Sequence, residues 1–125
     1  MFRVILFLIM VGVSACASSE AARKALMPYV HDYNEMIRWE APEKAAPLVA
    51  PEAAHEFRDW SRDTVEDYDF QEWSVRDVTH ESEVTATVVI ERKGYQVPKY
   101  IEKTFTSVQH WEYIDGIGWR LKEGF

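Results

Sequence analysis

Four histidines, His31, His55, His80 and His110, and one cysteine, Cys16, are the side chains best suited to metal ligation or nucleophilic work in this 125-residue chain. The histidines are dispersed. None of the close spacings, such as H-E-x-x-H, brings two of them onto one helix face. His31 and Asp32 adjoin Tyr33 and suggest an acid–base pair, but general acid–base catalysis needs reach and a tuned pKa, which adjacency does not supply. No nucleophile stands at a motif spacing from a base. Asp63, Glu66, Asp67, Asp69 and Glu72 form an acidic run with oxygens to offer a hard cation. It lacks the glycine turn of a calcium loop and reads as a solvated helix end. No catalytic residue, metal ligand or cofactor is assigned.

Cys16 points to another chemistry. Arg3 places a positive charge near the start, residues 4–13 form an uncharged apolar run, and Val13-Ser14-Ala15-Cys16 closes it with small residues. That order is a signal peptide. A transmembrane helix needs roughly 20 apolar residues, and this run fades into Ser and Ala before Glu20. The segment resembles bacterial lipoprotein signal peptides, whose motif of an aliphatic residue, a small residue, Gly, Ala or Ser, and then cysteine is met by Val13, Ser14, Ala15 and Cys16. The resemblance implies cleavage before Cys16 and acylation of its thiol and new amino group. Several acyl chains anchor stably where one does not. Ala17 follows the cysteine where an Asp would signal inner-membrane retention, so the resemblance implies the periplasmic side of the outer membrane in a Gram-negative cell. Ala15-Cys16-Ala17 also fits the A-x-A pattern of ordinary signal peptidase, which would cut after Ala17, and both routes stand.

The chain therefore divides into a signal peptide at 1–15, a lipidated cysteine and short tether at 16–22, and one domain at 23–125. Loss of residues 1–15 leaves 13 Lys and Arg against 21 Asp and Glu, a net charge of −8. Such a protein is repelled by phosphate backbones, which excludes nucleic acid as a partner. The lone cysteine excludes an intramolecular disulfide, so the core must hold the fold.

Leu26, Tyr29, Val30, Tyr33, Met36 and Ile37 recur at three- and four-residue steps and predict a helix from about Met27 to Glu40, with Pro28 in its first turn. A short helix around 43–49 precedes a third opening at Pro51, whose inner face carries Ala54, Phe57, Trp60, Thr64, Val65 and Tyr68. After Asp69 the period becomes two. Strands are expected over Phe70–His80, from Val84 to Glu91, over Tyr100–Ile114 and over Ile117–Glu123, with a turn at Lys93-Gly94. For the last hairpin a three-residue loop, Ile114-Asp115-Gly116, pairs Tyr113 with Ile117. It puts Trp111, Tyr113, Ile117, Trp119 and Leu121 on one face and His110, Glu112, Arg120 and Lys122 on the other. A two-residue loop would mix them, and a one-residue slip exchanges the faces. Helices followed by a four-stranded antiparallel meander make an α+β fold, with the helices packed on a curved, cone-like sheet.

The stretches 29–40, Ala45-Ala46-Pro47-Leu48-Val49 and 109–121 resemble the nuclear transport factor two-like superfamily, a curved sheet around a long N-terminal helix. A cystatin-like arrangement of a helix on a meander is the alternative. The superfamily spans isomerase-like enzymes and non-catalytic binding members, so fold alone does not decide function. Trp39, Trp60, Trp73, Trp111 and Trp119 either line an apolar pocket or fill the core. Tyr33, Trp60, Trp111, Tyr113 and Trp119 are the candidates for pocket lining. The leading expectation is a non-catalytic, lipid-anchored envelope domain. Its partners are the membrane, through lipid on Cys16, and a protein or a second copy of the chain met through the sheet. A carrier of a small apolar ligand comes next, and an isomerase- or dehydratase-like enzyme last.

Overall fold

The apolar stripe at three- and four-residue steps winds into α1 (Leu26–Arg38), which buries Leu26, Val30, Tyr33, Asn34 and Ile37 along one face. The computed structural model describes residues 25–125. The signal segment 1–15, Cys16 and the tether to residue 22 lie outside the described residues. Pro28 sits in the first turn of α1, where its missing N–H costs nothing. Arg38 in the last turn complements the negative end of the helix dipole. Beyond it, prolines break the chain into short pieces. Pro42 opens α2 (Pro42–Ala45), Pro47 lies in a 3-10 turn (Ala46–Leu48), and Pro51 opens a second (Pro51–Ala53) that leads into α3 (Ala54–Trp60) and a wider π turn (Ser61–Val65). Each proline lacks a donor and is tolerated only where a helical segment begins.

Four strands follow, β1 (Tyr68–His80), β2 (Thr85–Gln96), β3 (Ile101–Ile114) and β4 (Gly118–Glu123), antiparallel in the order β1-β2-β3-β4. The sheet is open, and the helices cover one face: an α+β fold, as the sequence implied. In β2 burial alternates without a break, Ala86, Val88, Ile90, Arg92 and Gly94 pointing inward. β1 carries an extra residue between Phe70 and Glu72 and another between Val75 and Asp77. Each bulge reverses the parity, so Phe70, Trp73, Val75 and Val78 pair in turn with Gly94, Arg92, Ile90 and Val88 on the inner face. Bulges sharpen the twist and bend the strand, which curls this edge of the sheet around α1. The opposite edge is met by the chain itself at Leu121. Val49 bridges Leu121 in parallel, and the Ala50 N–H donates to the Leu121 carbonyl at 2.8 Å.

The turn expected at Lys93-Gly94 is not there: β2 runs through both residues to Gln96, and the chain reverses over 97–100. Gly94 serves close approach instead. A Cβ on it would lie 2.8 Å from the Asp69 carbonyl oxygen and 3.0 Å from the Phe70 ring. In the last hairpin the separation of faces is as reasoned, with Trp111 opposite Leu121 and Tyr113 opposite Trp119. The loop, however, is Asp115-Gly116-Ile117, so partners differ by two residues from the expected register, and Ile117 is exposed in the turn instead of joining the inner face. A shift of two preserves facing where a shift of one would invert it.

The core joins Tyr33 and Ile37 of α1, Phe57 of α3, Val88 and Ile90 of β2, and Trp111, Trp119 and Leu121 of the last hairpin. Among the described residues no helix is long and apolar enough to cross a membrane.

Candidate functional site

Three polar side chains lie within this core: Asn34, Arg92 and Gln109, each no more than 2% exposed. Each occupies a buried step of its element. Asn34 follows Val30 by one helical turn, Arg92 continues the series Ala86, Val88, Ile90, and Gln109 shares the inner parity of Trp111. The strand expected from the sequence stops at Glu91, and none of the three is a sequence candidate for a site. The parity of β2 was the signal available for Arg92.

Hydrogen bonds link them into one cluster. Arg92 Nη2 donates to Asn34 Oδ1 at 2.6 Å, and Gln109 Nε2 donates to the same oxygen at 3.0 Å. Asn34 Nδ2 donates to the Val30 carbonyl at 2.8 Å, and the Trp111 indole donates to Gln109 Oε1 at 3.2 Å. Arg92 Nη1 donates to Ser107 Oγ at 3.1 Å and to the Phe125 main-chain oxygen at 3.0 Å, and Ser107 Oγ donates to that same oxygen at 3.0 Å. The guanidinium carbon lies 5.7 Å from the centre of the Trp60 ring, within cation–π range. Arg92 Nε and the Tyr33 hydroxyl have no hydrogen-bond partner, although both are buried. Burial pulls the Arg92 guanidinium below its usual range and pushes the Tyr33 phenol above its own, while the charge of Arg92 offsets part of the latter. The cluster is a desolvated cation ringed by oxygen acceptors and aromatic faces. Its chemistry is to hold an oxygen acceptor.

The aromatic candidates surround this cluster. Tyr33 meets Trp111 edge-on at 5.9 Å and Phe57 at 6.1 Å. Trp60 packs against both Phe57 and Phe125, at 5.9 and 6.1 Å. Tyr113 and Trp119 meet at 5.7 Å, and His80 packs edge-on against Trp119 at 6.2 Å. Tyr33, Trp111 and Trp119 are at most 1% exposed, whereas Trp60 and Tyr113 are partly buried at the margin of the core. Depressions at the surface reach this set at Phe57 and at Trp111. One of about 280 Å³ between α2 and α3 is lined by Pro42, Ala46, Ala54, Phe57 and Ser61. Another of about 330 Å³ at the end of the β2–β3–β4 sheet is bordered by Glu81, His110, Trp111, Glu112 and Lys122.

His31 and Asp32 approach to 3.6 Å but project outward, more than 60% exposed, with the imidazole against Trp73 at 5.6 Å. The acidic run spreads into separate ion pairs, Asp63 with Arg62 at 3.5 Å and Glu72 with Lys93 at 3.5 Å. Among the described residues no three His, Cys, Asp or Glu side chains are placed to hold a metal ion. On the outer face of the sheet Thr87 bridges the Glu81 carboxylate and His110 Nδ1, and Lys122 pairs with Glu112 at 2.7 Å. The Thr87 hydrogen bond holds Glu81 below the usual carboxylate range.

No family model matches the chain, and no curated protein matches it. Two solved structures share its fold. A SEC-C motif-containing protein from Rhodopseudomonas palustris superposes with a TM-score of 0.67 at 17% identity, covering 88% of this chain and 87% of its own. An NTF-2-like protein of unknown function from Shewanella oneidensis MR-1 superposes with a TM-score of 0.61 at 9% identity, covering 80% of this chain and 93% of its own. At these identities the likeness is one of fold alone: helices packed on one face of an antiparallel sheet.

Proposed function

We propose that the chain is a lipid-anchored cell-envelope domain, attached through Cys16 on the periplasmic side of the outer membrane, that binds a protein partner or supports an assembly without catalysis. The observation that supports this reading is the packing of the interior. Tyr33, Trp111 and Trp119 are at most 1% exposed between helix and sheet, where a carrier or an isomerase of this architecture would keep its ligand. The acid–base candidates His31 and Asp32 stand on the outside. The surface is then the working part, presented by the anchor at a fixed height above the membrane.

Metabolic labelling with palmitate tests the anchor: label should enter the natural chain and not a Cys16→Ala variant. Native mass spectrometry of the purified chain tests the interior, and the expected mass is that of the polypeptide and its lipid alone. An unlabelled natural chain would remove the anchor. A stoichiometric apolar ligand would replace partner binding with carriage.

A further inference from the structure

Trp39 is 70% exposed, yet its ring is held in place. The indole N–H donates to Glu35 Oε2 at 3.1 Å, and the Arg38 guanidinium carbon lies over the ring at 5.2 Å from its centre. Trp39 caps the C-terminus of α1, and Glu40 turns the chain back at φ +57°. The Glu40 N–H donates to the Ile37 carbonyl at 3.1 Å and the Ala41 N–H to the Met36 carbonyl at 3.0 Å. Glycine is the usual occupant of that left-handed position, because a Cβ strains it. Here it is a glutamate whose side chain has no hydrogen bond or ion pair to any described residue. Strain that the fold does not repay is concentrated at ligand sites. A second irregularity adjoins the first. Gln71 is the extra residue of the first β1 bulge, and bulges re-aim the side chains around them. Arg38, Trp39, Glu40, Asp69, Phe70 and Gln71 line one depression of about 280 Å³, room for a single sugar ring.

We propose that this depression binds a neutral pyranose. Its lining combines an open aromatic face with a guanidinium, two carboxylates and an amide, so it offers an apolar platform edged by both donors and acceptors. An anion would be repelled by Glu40 and Asp69, and the cation place over the ring is already taken by Arg38. A pyranose meets every group: its C–H face stacks on Trp39, its hydroxyls donate to Glu40 and Asp69, and its oxygens accept from Gln71. Hydroxyl bonds to ionised acceptors are about twice as strong as neutral ones. The chemistry is shared by a free sugar and by one residue of a glycan chain. The inference goes beyond the partner-binding reading and does not depend on lipid at Cys16.

The test is NMR titration of the full chain, solubilised in a detergent without a sugar headgroup. The probes are methyl β-D-glucopyranoside, methyl β-D-galactopyranoside and methyl N-acetyl-β-D-glucosaminide, with glycerol and methyl β-D-glucuronide as controls. At least one neutral pyranoside should move the Trp39 indole N–H and the Gln71 side-chain amide together. It should bind about threefold or more tightly than the glucuronide, which brings a like charge to Glu40 and Asp69. Glycerol, with hydroxyls but no flat face, should move neither signal at the same concentration. Trp39→Ala, read at Gln71, should weaken binding by about tenfold or more, because the platform is gone. Glu40→Gly should weaken it by about threefold or more with no fall in Tm, since glycine takes φ +57° without strain. Unmoved signals with all three pyranosides, a control as effective as the best of them, or full affinity in either variant overturns the site. If Glu40→Gly does not fold, Asp69→Asn replaces it, with the same loss expected and full affinity overturning the site. Within a positive outcome, tighter binding of the matching disaccharide than of the single pyranoside assigns the site to a glycan chain, and no gain assigns it to a free sugar.

Discussion

The Trp73 indole donates to Glu35 Oε1 at 2.8 Å across 38 residues of sequence, while the Trp39 indole donates to Glu35 Oε2 at 3.1 Å. One carboxylate therefore fastens α1 to the bulged part of β1 and holds the end of the helix with its other oxygen. The Trp73 hydrogen bond, aided by that of Trp39 and by the charge of Arg38, keeps Glu35 below the usual carboxylate range. A carboxyl with a lowered folded-state pKa stabilises fully above its ordinary value of 4.5, and the gain is lost as pH falls through the lowered value. Glu35→Gln should cost about 1–2 kcal/mol near neutrality. The difference in Tm between the two proteins should hold steady above pH 4.5 and shrink below it. A gap that persists unchanged in acid would contradict this assignment.

The Arg92–Asn34 bond yields an ordering of variants. Asn34→Ala strips Arg92 of its shortest hydrogen bond and leaves the cation buried, at a cost of about 3 kcal/mol or more. Arg92→Met removes the charge and keeps the volume, while Asn34 Oδ1 retains Gln109. Its cost should be the smaller of the two. Urea denaturation of both variants checks the order, and the reverse order would mean that Arg92 is a net source of stability.

Tyr33 should tolerate loss of its oxygen but not of its ring. The hydroxyl is buried without a partner, so Tyr33→Phe is expected to change stability by no more than about 1 kcal/mol, in the stabilising direction. Tyr33→Ala empties a site packed against Phe57 and Trp111 and should cost about 3–5 kcal/mol. The raised phenol pKa adds a pH signature. Its stabilisation is complete below the ordinary value of 10.0 and declines as pH climbs toward the higher folded-state value, since the unfolded chain releases the proton first. Tyr33→Phe should flatten that alkaline decline in a Tm-against-pH profile.

Gly124→Ala tests how tightly the chain after β4 is held. A Cβ there meets the Val108 backbone, which has no flexible end to swing away, at a left-handed φ of +78°. A loss of about 2–3 kcal/mol is expected. The effect should reach the Trp60 fluorescence, because Phe125 is displaced with it. Unchanged Tm and emission would show that this segment is not held against β3.

The sequence made the layer order legible because period carries it. Ala86, Val88 and Ile90 alternate, and Trp111, Trp119 and Leu121 sort onto one face in any register that keeps polar groups out of the core. Stopping β2 at a Lys-Gly pair hid Arg92, since Gly94 reads as a turn locally and is a contact against Phe70 only in the assembled sheet. The β1 bulges were equally hidden. Gln71 and Arg76 become surplus residues only once β2 sets the pairing. The cluster of Asn34, Arg92 and Gln109 depends on three elements meeting, with Asn34 standing 58 positions from Arg92 and 75 from Gln109. No local pattern reports that. The aromatic residues were visible as a set, but their mutual packing is a property of volume, which the sequence states only in sum.

The strap of Val49 and Ala50 at Leu121 of β4 bears on how the sheet could grow. A sheet with two bare margins can recruit neighbours at both and lengthen without limit. This one has spent part of one margin, at Leu121, on its own chain, and the other, β1, is bent by two bulges and edged with charge. A neighbouring strand that meets β4 finds the Leu121 carbonyl already taken by the Ala50 N–H, and one that meets β1 finds a bent edge. Both outer strands of the sheet thus carry a feature that resists edge-to-edge growth.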